Sequence, residues 1–257
     1  MSDLVKVTSI LKQKTNYEVN LTTETLILDP SVVLKYRIKT GDELSPNQLR
    51  DIQFDQQYLE YDQMAIKKLK KMQTVFELKT FLESKGASKI IVKTLIDRYI
   101  KHKYLDDLTY AKTYVSFKKN TQGPKMLLEK LKEKGISQTI IDMVFKTYDE
   151  QAILHTLISK KIQKTQGKSV QQLKTQLYTH FMSKGFSSER IQDVISKNIM
   201  SYDVDEDALI KKTYELAFHK YSQTLNHYDA AQKAFQKCVL KGFKYHVIKR
   251  VVEQLED

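Results

Sequence analysis

Four Lys-Gly pairs, each at the end of an amphipathic stretch, constrain the fold of this chain more than any other feature. They are Lys85-Gly86, Lys134-Gly135, Lys184-Gly185 and Lys241-Gly242, so that successive glycines lie 49, 50 and 57 residues apart. Glycine readily adopts the left-handed backbone that commonly ends a helix. Apolar or small residues stand eight and four positions before each glycine, on one helical face: Leu78 and Leu82, Leu127 and Leu131, Leu177 and Phe181, Ala234 and Cys238. The pairs therefore predict four helix C-termini.

Two further helices accompany each of these. After each glycine, apolar residues recur six and nine positions on, as with Val92 and Leu95, which indicates a second amphipathic helix. A serine that can cap this helix follows three of the glycines by two positions, whereas Lys244 takes its place after the last; the serines are Ser88, Ser137 and Ser187. Ahead of each Gly-terminated helix, another is predicted to begin near an acidic residue: Asp55, Asp106, Asp149 and Asp203.

The predicted fold class is therefore mainly α, with tandem three-helix repeats of helix-turn-helix type. We expect repeats at residues 51–104, 105–148, 149–200 and 201–257. Self-similarity at such a period is typical of repeat proteins, whose units bury apolar faces against their neighbours. We therefore expect an elongated array.

Residues 1–50 differ from the rest and predict a small β-containing N-terminal domain. Apolar and polar residues alternate around Val5 and Val7 and again from Tyr17 to Leu21, which is the period of a strand. A third apolar run, Leu26 to Leu28, ends at Asp29-Pro30, where Asp can cap and Pro can open a short helix through about Tyr36. Gly41 is predicted to close that helical region, and Ser45-Pro46 repeats the capping signal.

The sequence offers no constellation for catalysis, for a metal or for a cofactor. It lacks the glycine-rich loops that hold nucleotide phosphates, its six histidines are scattered, and Cys238 is its single cysteine. The acidic groups Asp106-Asp107 and Asp203 to Asp207 fall at predicted helix starts, where acids are expected without a metal. With no secretion signal and no apolar run long enough to span a bilayer, the chain is predicted to be a cytoplasmic protein rather than an enzyme or a membrane protein.

The distribution of charge indicates more about a binding partner than any single residue does. The formal net charge is +12, and no acidic residue occurs from Gln151 to Ser188, a stretch with six lysines. Such a stretch can form a track for a phosphate backbone, or it can be a solvated lysine face. The role of the lysine in each Lys-Gly pair also has two interpretations. It can contact a phosphate or an acidic partner, or it can simply complement the helix dipole as a cation in the last turn, which needs no ligand. The fifteen tyrosines mostly fall at helical spacing, which favours packing over base stacking.

The second repeat resembles the regulatory protein RecX family, in the longer form with an extra N-terminal domain. The order and spacing of separate pieces carry the resemblance: Tyr104-Leu105-Asp106-Asp107, Ala111, Tyr114, Gly123-Pro124, Leu131 and Gly135. Weaker matches extend over residues 55–257, and the N-terminal portion is similar to that of longer family members. Compact members are described with three units, whereas four are marked by glycine here, and the last has Ala234 and Cys238 at usually larger apolar positions.

The resemblance implies a non-enzymatic modulator that binds the RecA nucleoprotein filament and suppresses its strand exchange and ATP hydrolysis. The expected partners are the RecA filament and single- and double-stranded DNA, with no membrane and no cofactor, and the chain is expected to be a monomer. A stand-alone DNA-binding protein is the alternative. We assign the contact to basic residues of the second to fourth repeats: Lys118, Lys119, Lys125, Lys134, Lys160, Lys161, Lys164, Lys168, Lys174, Lys184, Lys241, Lys249 and Arg250.

Overall fold

The computed structural model describes residues 4–256 and begins with a small antiparallel sheet. Its strands are β1 (Val5–Lys12), β2 (Tyr17–Leu21), β3 (Thr25–Leu28) and β4 (Glu43–Leu44), in the order β3-β2-β1-β4. The first three were predicted and β4 was not, because two residues carry no alternation pattern. Helix α1 (Pro30–Tyr36) is capped by Asp29, as predicted, but the left-handed residue at its end is Arg37 (φ 51°) and not Gly41.

Twelve further α-helices follow in the described part of the chain. They are α2 (Pro46–Leu69), α3 (Val75–Ser84), α4 (Lys89–Lys101), α5 (Asp107–Lys118), α6 (Pro124–Glu133), α7 (Gln138–Phe145), α8 (Glu150–Gln163), α9 (Val170–Ser183), α10 (Ser188–Asn198), α11 (Glu206–Ser222), α12 (His227–Leu240) and α13 (Tyr245–Glu256). This mainly α architecture with a small N-terminal sheet confirms the predicted fold class. Across residues 4–256, no helix combines the length and the apolar character needed to cross a membrane.

The chain forms two compact units. Of the described residues, 4–110 and 134–136 form one unit, and 111–133 and 137–256 form the other. The division into four repeats at the residue boundaries given above stays a prediction.

Helix α2 joins two cores of the first unit. Its N-terminal part places the fully buried Ile52 in the core of the sheet domain, and its C-terminal part places the fully buried Ala65 against the core formed with α3 and α4. The predicted start near Asp55 was wrong: α2 begins at Pro46, because Ser45 and Gln48 form a reciprocal capping box. The first three-helix core therefore shares its first helix with the sheet domain.

The second unit contains two large cores, one in the third predicted repeat and one in the fourth. Leu173, Leu177 and Phe181 of α9 pack with α8 and α10 in the first of these. In the other, α11 and α12 pack around small residues, and both Ala234 and Cys238 are fully buried. Helix α11 is capped by Asp205, two residues after the predicted Asp203.

The four glycines of the Lys-Gly pairs end their helices as predicted. Their φ angles are 89°, 74°, 83° and 77° for Gly86, Gly135, Gly185 and Gly242. After Gly86, the N–H of Ala87 reaches back to the carbonyl oxygen of Leu82 (3.1 Å), a bond that only a left-handed residue permits. The next helices are capped by Ser88 and Ser137 as predicted, whereas Ser187 makes no capping bond through its side chain. Instead, its hydroxyl bonds to the Glu150 carboxylate (3.2 Å).

Candidate nucleic-acid interface

The backbone of every Lys-Gly pair is held by a group from another helix or its cap. In the first unit, the Tyr61 hydroxyl donates to the Lys85 carbonyl oxygen (3.1 Å) and Thr74 Oγ1 donates to that of Lys134 (2.7 Å). In the second unit, the Gly123 N–H donates to the Lys184 carbonyl oxygen (2.7 Å) and Ser169 Oγ donates to that of Lys241 (2.6 Å). These carbonyls end a helix and have no partner within it, so the contacts satisfy groups that water would otherwise have to reach.

The side chains of two of these lysines are also occupied. Lys134 Nζ lies 2.6 Å from Glu77 Oε1 and 5.5 Å from the Tyr110 ring centroid. Burial opposes the charge, but these partners outweigh it and raise the pKa of Lys134 above its ordinary value. Lys241 Nζ donates to the Thr213 hydroxyl (3.1 Å). The predicted contact residues Lys134 and Lys241 thus have structural partners inside the fold.

The basic residues assigned to the last helix also have partners. Arg250 forms a bidentate pair with Asp207, with both hydrogen bonds at 2.7 Å, and Lys249 lies 3.7 Å from Glu253. A partner protein or a phosphate would have to compete with these carboxylates.

A different arrangement surrounds the third Lys-Gly pair. Lys168 of the loop after α8 and Lys184 at the end of α9 lie close enough to Lys161 of α8 for their charges to act on it, and we call these three the lysine cluster. Burial is the largest cause of a lowered pKa at Lys161, and the charges of Lys168 and Lys184 lower it further. Three like charges have therefore been brought together by α8, α9 and the loop between them.

His180 of α9 lies beside the lysine cluster. Its pKa is lowered by burial first, and then by the charges of Lys161 and Lys184. In the sequence, His180 is one of six scattered histidines. In the folded chain, it lies close enough to Lys161 and Lys184 for their charges to act on it. Its spacing of four from Lys184 on α9 was the signal that could have found it.

No carboxylate neutralises the lysine cluster. Within residues 4–256, none of the ion pairs involves Lys161, Lys168 or Lys184. Lys168 Nζ instead bonds the neutral amide oxygen of Gln176. Half-buried ammonium groups without a counter-ion are costly, and an anion placed among them removes that cost. The cluster is therefore suited to bind a phosphate or a carboxylate.

The other predicted contact residues are spread over the surface. Lys118, Lys125, Lys160 and Lys164 are exposed, and Lys119 and Lys174 are half-buried. Lys125 lies beside the third Lys-Gly turn through its backbone, because its N–H donates to the Gly185 carbonyl oxygen (3.1 Å).

The signature residues of the second repeat have structural positions. Leu105, Ala111 and Leu131 are buried, and Tyr114 is half-buried. Asp106 accepts from the Thr109 N–H (3.0 Å) at the start of α5, and Asp107 accepts from the Val75 N–H (2.9 Å). Tyr104 is exposed and meets the Tyr99 ring edge-on. Pro124 opens α6, and Gly135 stands against Phe76.

Only glycine fits at position 123, because the backbone there lies very close to the backbone of Gly185 and Phe186. A Cβ at this position would collide with the carbonyl carbon of Gly185 and the nitrogen of Phe186. Gly185 is itself tightly placed, since a Cβ there would lie 2.7 Å from Met126 Cγ. This contact fixes the third Lys-Gly turn, and with it the position of Lys184. Among the described residues, no group of His, Cys, Asp and Glu side chains is arranged to hold a metal.

These features define a helical-repeat protein of three-helix units that carries an unneutralised basic cluster on its third repeat. The chain is similar to proteins of the RecX family. Residues 148–195, which contain α8 and most of α10 with α9 between them, match the third three-helix domain of RecX. Helices α11 to α13 lie beyond that match.

Relatives that match along almost the whole chain are named regulatory protein RecX. A regulatory protein RecX of Staphylococcus haemolyticus is 27% identical over 263 residues, covering 98% of each chain. One of Bacillus subtilis is 28% identical over 240 residues, covering 89% of each. A crystal structure of regulatory protein RecX superposes with a TM-score of 0.56 at 21% identity, covering 74% of this chain and 98% of that one. The RecX of Lactobacillus salivarius gives 0.50 at 23% identity, covering 56% and 97%. The two structures support the fold.

Proposed function

We propose that this chain binds the RecA nucleoprotein filament and negatively modulates its recombinase and ATPase activities in DNA recombination and repair. Similarity to the RecX family and the name of its relatives, regulatory protein RecX, support the regulatory role. The lysine cluster is the observation that supports contact with the filament, whose DNA is a dense array of phosphates. On this proposal the protein is a non-enzymatic, cytoplasmic monomer that needs no cofactor.

The lysine cluster suits a nucleic-acid backbone for a physical reason. Binding of a phosphate among Lys161, Lys168 and Lys184 removes their mutual repulsion and releases the counter-ions condensed on the DNA. Contacts of this kind are sequence-independent, as a regulator that acts at any point along a filament requires. Further weak contacts by other repeats would reinforce the first through effective concentration, since all belong to one chain.

The experiment measures DNA-dependent ATP hydrolysis and strand exchange by RecA with increasing amounts of the purified full-length chain. We expect substoichiometric amounts to suppress both activities. The variant Lys161→Gln/Lys168→Gln/Lys184→Gln should require about tenfold more protein for the same suppression, which corresponds to about 1.4 kcal/mol of lost binding. No suppression by the unaltered chain at saturation would overturn the proposal.

A matched control distinguishes an effect of the lysine cluster from an effect of net charge. Lys12→Gln/Lys14→Gln/Lys39→Gln removes the same charge from exposed positions of the N-terminal domain, and it should suppress RecA as the unaltered chain does. Equal weakening by the two triple variants would mean that total charge, rather than the lysine cluster, carries the contact. A stand-alone DNA-binding protein, the alternative, would bind DNA equally well in the presence and absence of RecA and leave RecA turnover unaffected.

A further inference from the structure

A cleft of about 570 Å³ lies along helix α9, on the side where α9 meets the last Lys-Gly turn. Its walls carry amide, hydroxyl, imidazole and aliphatic groups from Gln171, Thr175, Gln176, Thr179, His180 and Leu240. The cleft and the lysine cluster adjoin at two points. His180 lines the cleft and is acted on by the charges of Lys161 and Lys184, and Lys168 Nζ bonds the amide oxygen of Gln176 in the cleft wall.

The chemistry of the cleft differs from that of the lysine cluster. Glutamine amides both donate and accept hydrogen bonds, and threonine hydroxyls do the same, so together they match the edges of nucleobases. Leu240, which is 81% exposed, offers an apolar surface for the face of a planar ring. None of the lining residues has a net charge apart from a protonated His180. A neutral, planar, hydrogen-bonding ring fits such a cleft better than a phosphate does.

We propose that the α9 cleft takes one unpaired base of single-stranded nucleic acid while the lysine cluster holds the phosphates next to it. The inference rests on the nucleic-acid contact of the proposed function and specifies its ligand. A base in a duplex is stacked and paired, so it cannot enter a cleft without being extruded at a cost of several kcal/mol. A single strand has unstacked bases to offer, which is why proteins with such sites prefer it.

His180 makes the contact sensitive to pH. The charged groups that face it are Lys161 of α8 and Lys184 of its own helix, with Lys168 beside Lys161. Lys241, at the last Lys-Gly turn, is bound to Thr213. A phosphate that neutralises Lys161 and Lys184 favours the imidazolium form, so binding takes up a proton at His180. The affinity for nucleic acid therefore rises as the pH falls from 7.5 to 6.

The first experiment fills the cleft without changing any charge. Thr175 and Thr179 are exposed on α9, so Thr175→Phe, and separately Thr179→Phe as a second variant, should fold normally. Binding of a fluorescent 20-nucleotide thymidine strand and of a duplex of the same length is measured by anisotropy. We expect single-strand binding to weaken about tenfold, in keeping with about 1–3 kcal/mol for one base contact, with duplex binding unchanged.

The control is Thr94→Phe, an equivalent exposed threonine on α4, which should bind both probes as the unaltered chain does. Unchanged single-strand binding by both cleft variants would overturn the inference, and so would an equal loss for strand and duplex. Failure of the proposed function looks different, because the unaltered chain would then leave RecA turnover untouched whatever the cleft variants do.

The second experiment repeats the single-strand titration at pH 7.5 and pH 6 with His180→Gln. The unaltered chain should bind severalfold more tightly at pH 6, and at most about tenfold more tightly per pH unit for one linked proton. His180→Gln should lose this excess. His155→Gln, at an exposed position of α8 in the same repeat, should keep it. An equal pH response in all three proteins would overturn the role of His180.

Discussion

The side-chain hydroxyl of Ser169 donates a hydrogen bond of 2.6 Å to the carbonyl oxygen of Lys241. The same hydroxyl accepts from the N–H of Gln172 (3.1 Å), and Ser169 is fully buried. One side chain thus satisfies the first turn of α9 and the last turn of α12. Thr74 makes the same pair of bonds in the first unit, where it accepts from Glu77 and donates to Lys134.

This dual role predicts that Ser169→Ala is more destabilising than the loss of an ordinary helix cap. The substitution removes two hydrogen bonds and leaves a partly buried carbonyl without its hydroxyl partner, which should lower the free energy of unfolding by about 2–3 kcal/mol. Ser137→Ala is the control, because Ser137 is exposed and its hydroxyl only caps α7. That loss should be about 0.5–1 kcal/mol by urea unfolding. Equal losses would contradict a role for Ser169 in holding the Lys241 turn.

Gly123→Ala should destabilise the second unit through a collision of backbones. The added Cβ meets main-chain atoms of Gly185 and Phe186, which cannot rotate away as a side chain can. We expect a loss of about 3 kcal/mol or more in unfolding free energy, at the upper end of the range for overpacking. Gly167→Ala is the control: Gly167 has a φ of 67° but open space around it. Only backbone strain of about 1–2 kcal/mol applies there, so a similar loss in both variants would exclude the collision.

Local signals made the repeated helix ends predictable from the sequence. A glycine with a left-handed backbone and a capping residue such as Thr74 or Ser88 act within one turn of a helix, so a few neighbouring residues suffice to recognise them. The prediction was wrong where a distant partner or a stronger local cap intervenes. Ser187 bonds to Glu150 instead of capping α10, and the Ser45 capping box starts α2 well before Asp55.

The candidate site was less predictable, because the four Lys-Gly pairs are alike in sequence and differ in what surrounds them. Glu77 lies 57 positions before Lys134 and meets it only in the folded chain. Lys184 has lysines from α8 and the following loop as neighbours instead. The acid-free stretch from 151 to 188 indicated where positive charge would be unneutralised. It could not indicate that His180 would be held beside Lys161 and Lys184.

Because the surroundings differ, the same substitution should lower stability at one Lys-Gly pair and weaken DNA binding at another. Lys134→Gln removes a partly exposed ion pair with Glu77, so it should lower the unfolding free energy by about 1 kcal/mol or less and leave DNA binding unchanged. Lys184→Gln relieves repulsion within the lysine cluster and should not lower stability. It should weaken DNA binding and reduce the slope of log affinity against log salt by about 1.

Thermal unfolding and DNA titrations at several salt concentrations check both halves of this prediction. Lys197→Gln is a suitable control for the charge alone, because Lys197 is exposed and pairs with Asp193 within α10. It should leave stability nearly unchanged and the salt slope unaltered. If Lys134→Gln reduced the salt slope as much as Lys184→Gln does, the distinction between structural and contact lysines would be wrong.

The last prediction concerns acid stability. Burial and the charges of Lys161 and Lys184 hold the pKa of His180 below its ordinary value of 6.5, so the unfolded chain binds a proton more readily than the folded chain. The stability contributed by neutral His180 is therefore fully present above about pH 6.5 and is lost as the pH falls through the folded-state pKa. His180→Gln removes this loss. Between pH 7 and pH 5 its melting temperature should fall about 1–2 °C less than that of the unaltered chain. The exposed His155→Gln should behave as the unaltered chain does, and an identical fall in all three would show that His180 is not held neutral by the cluster.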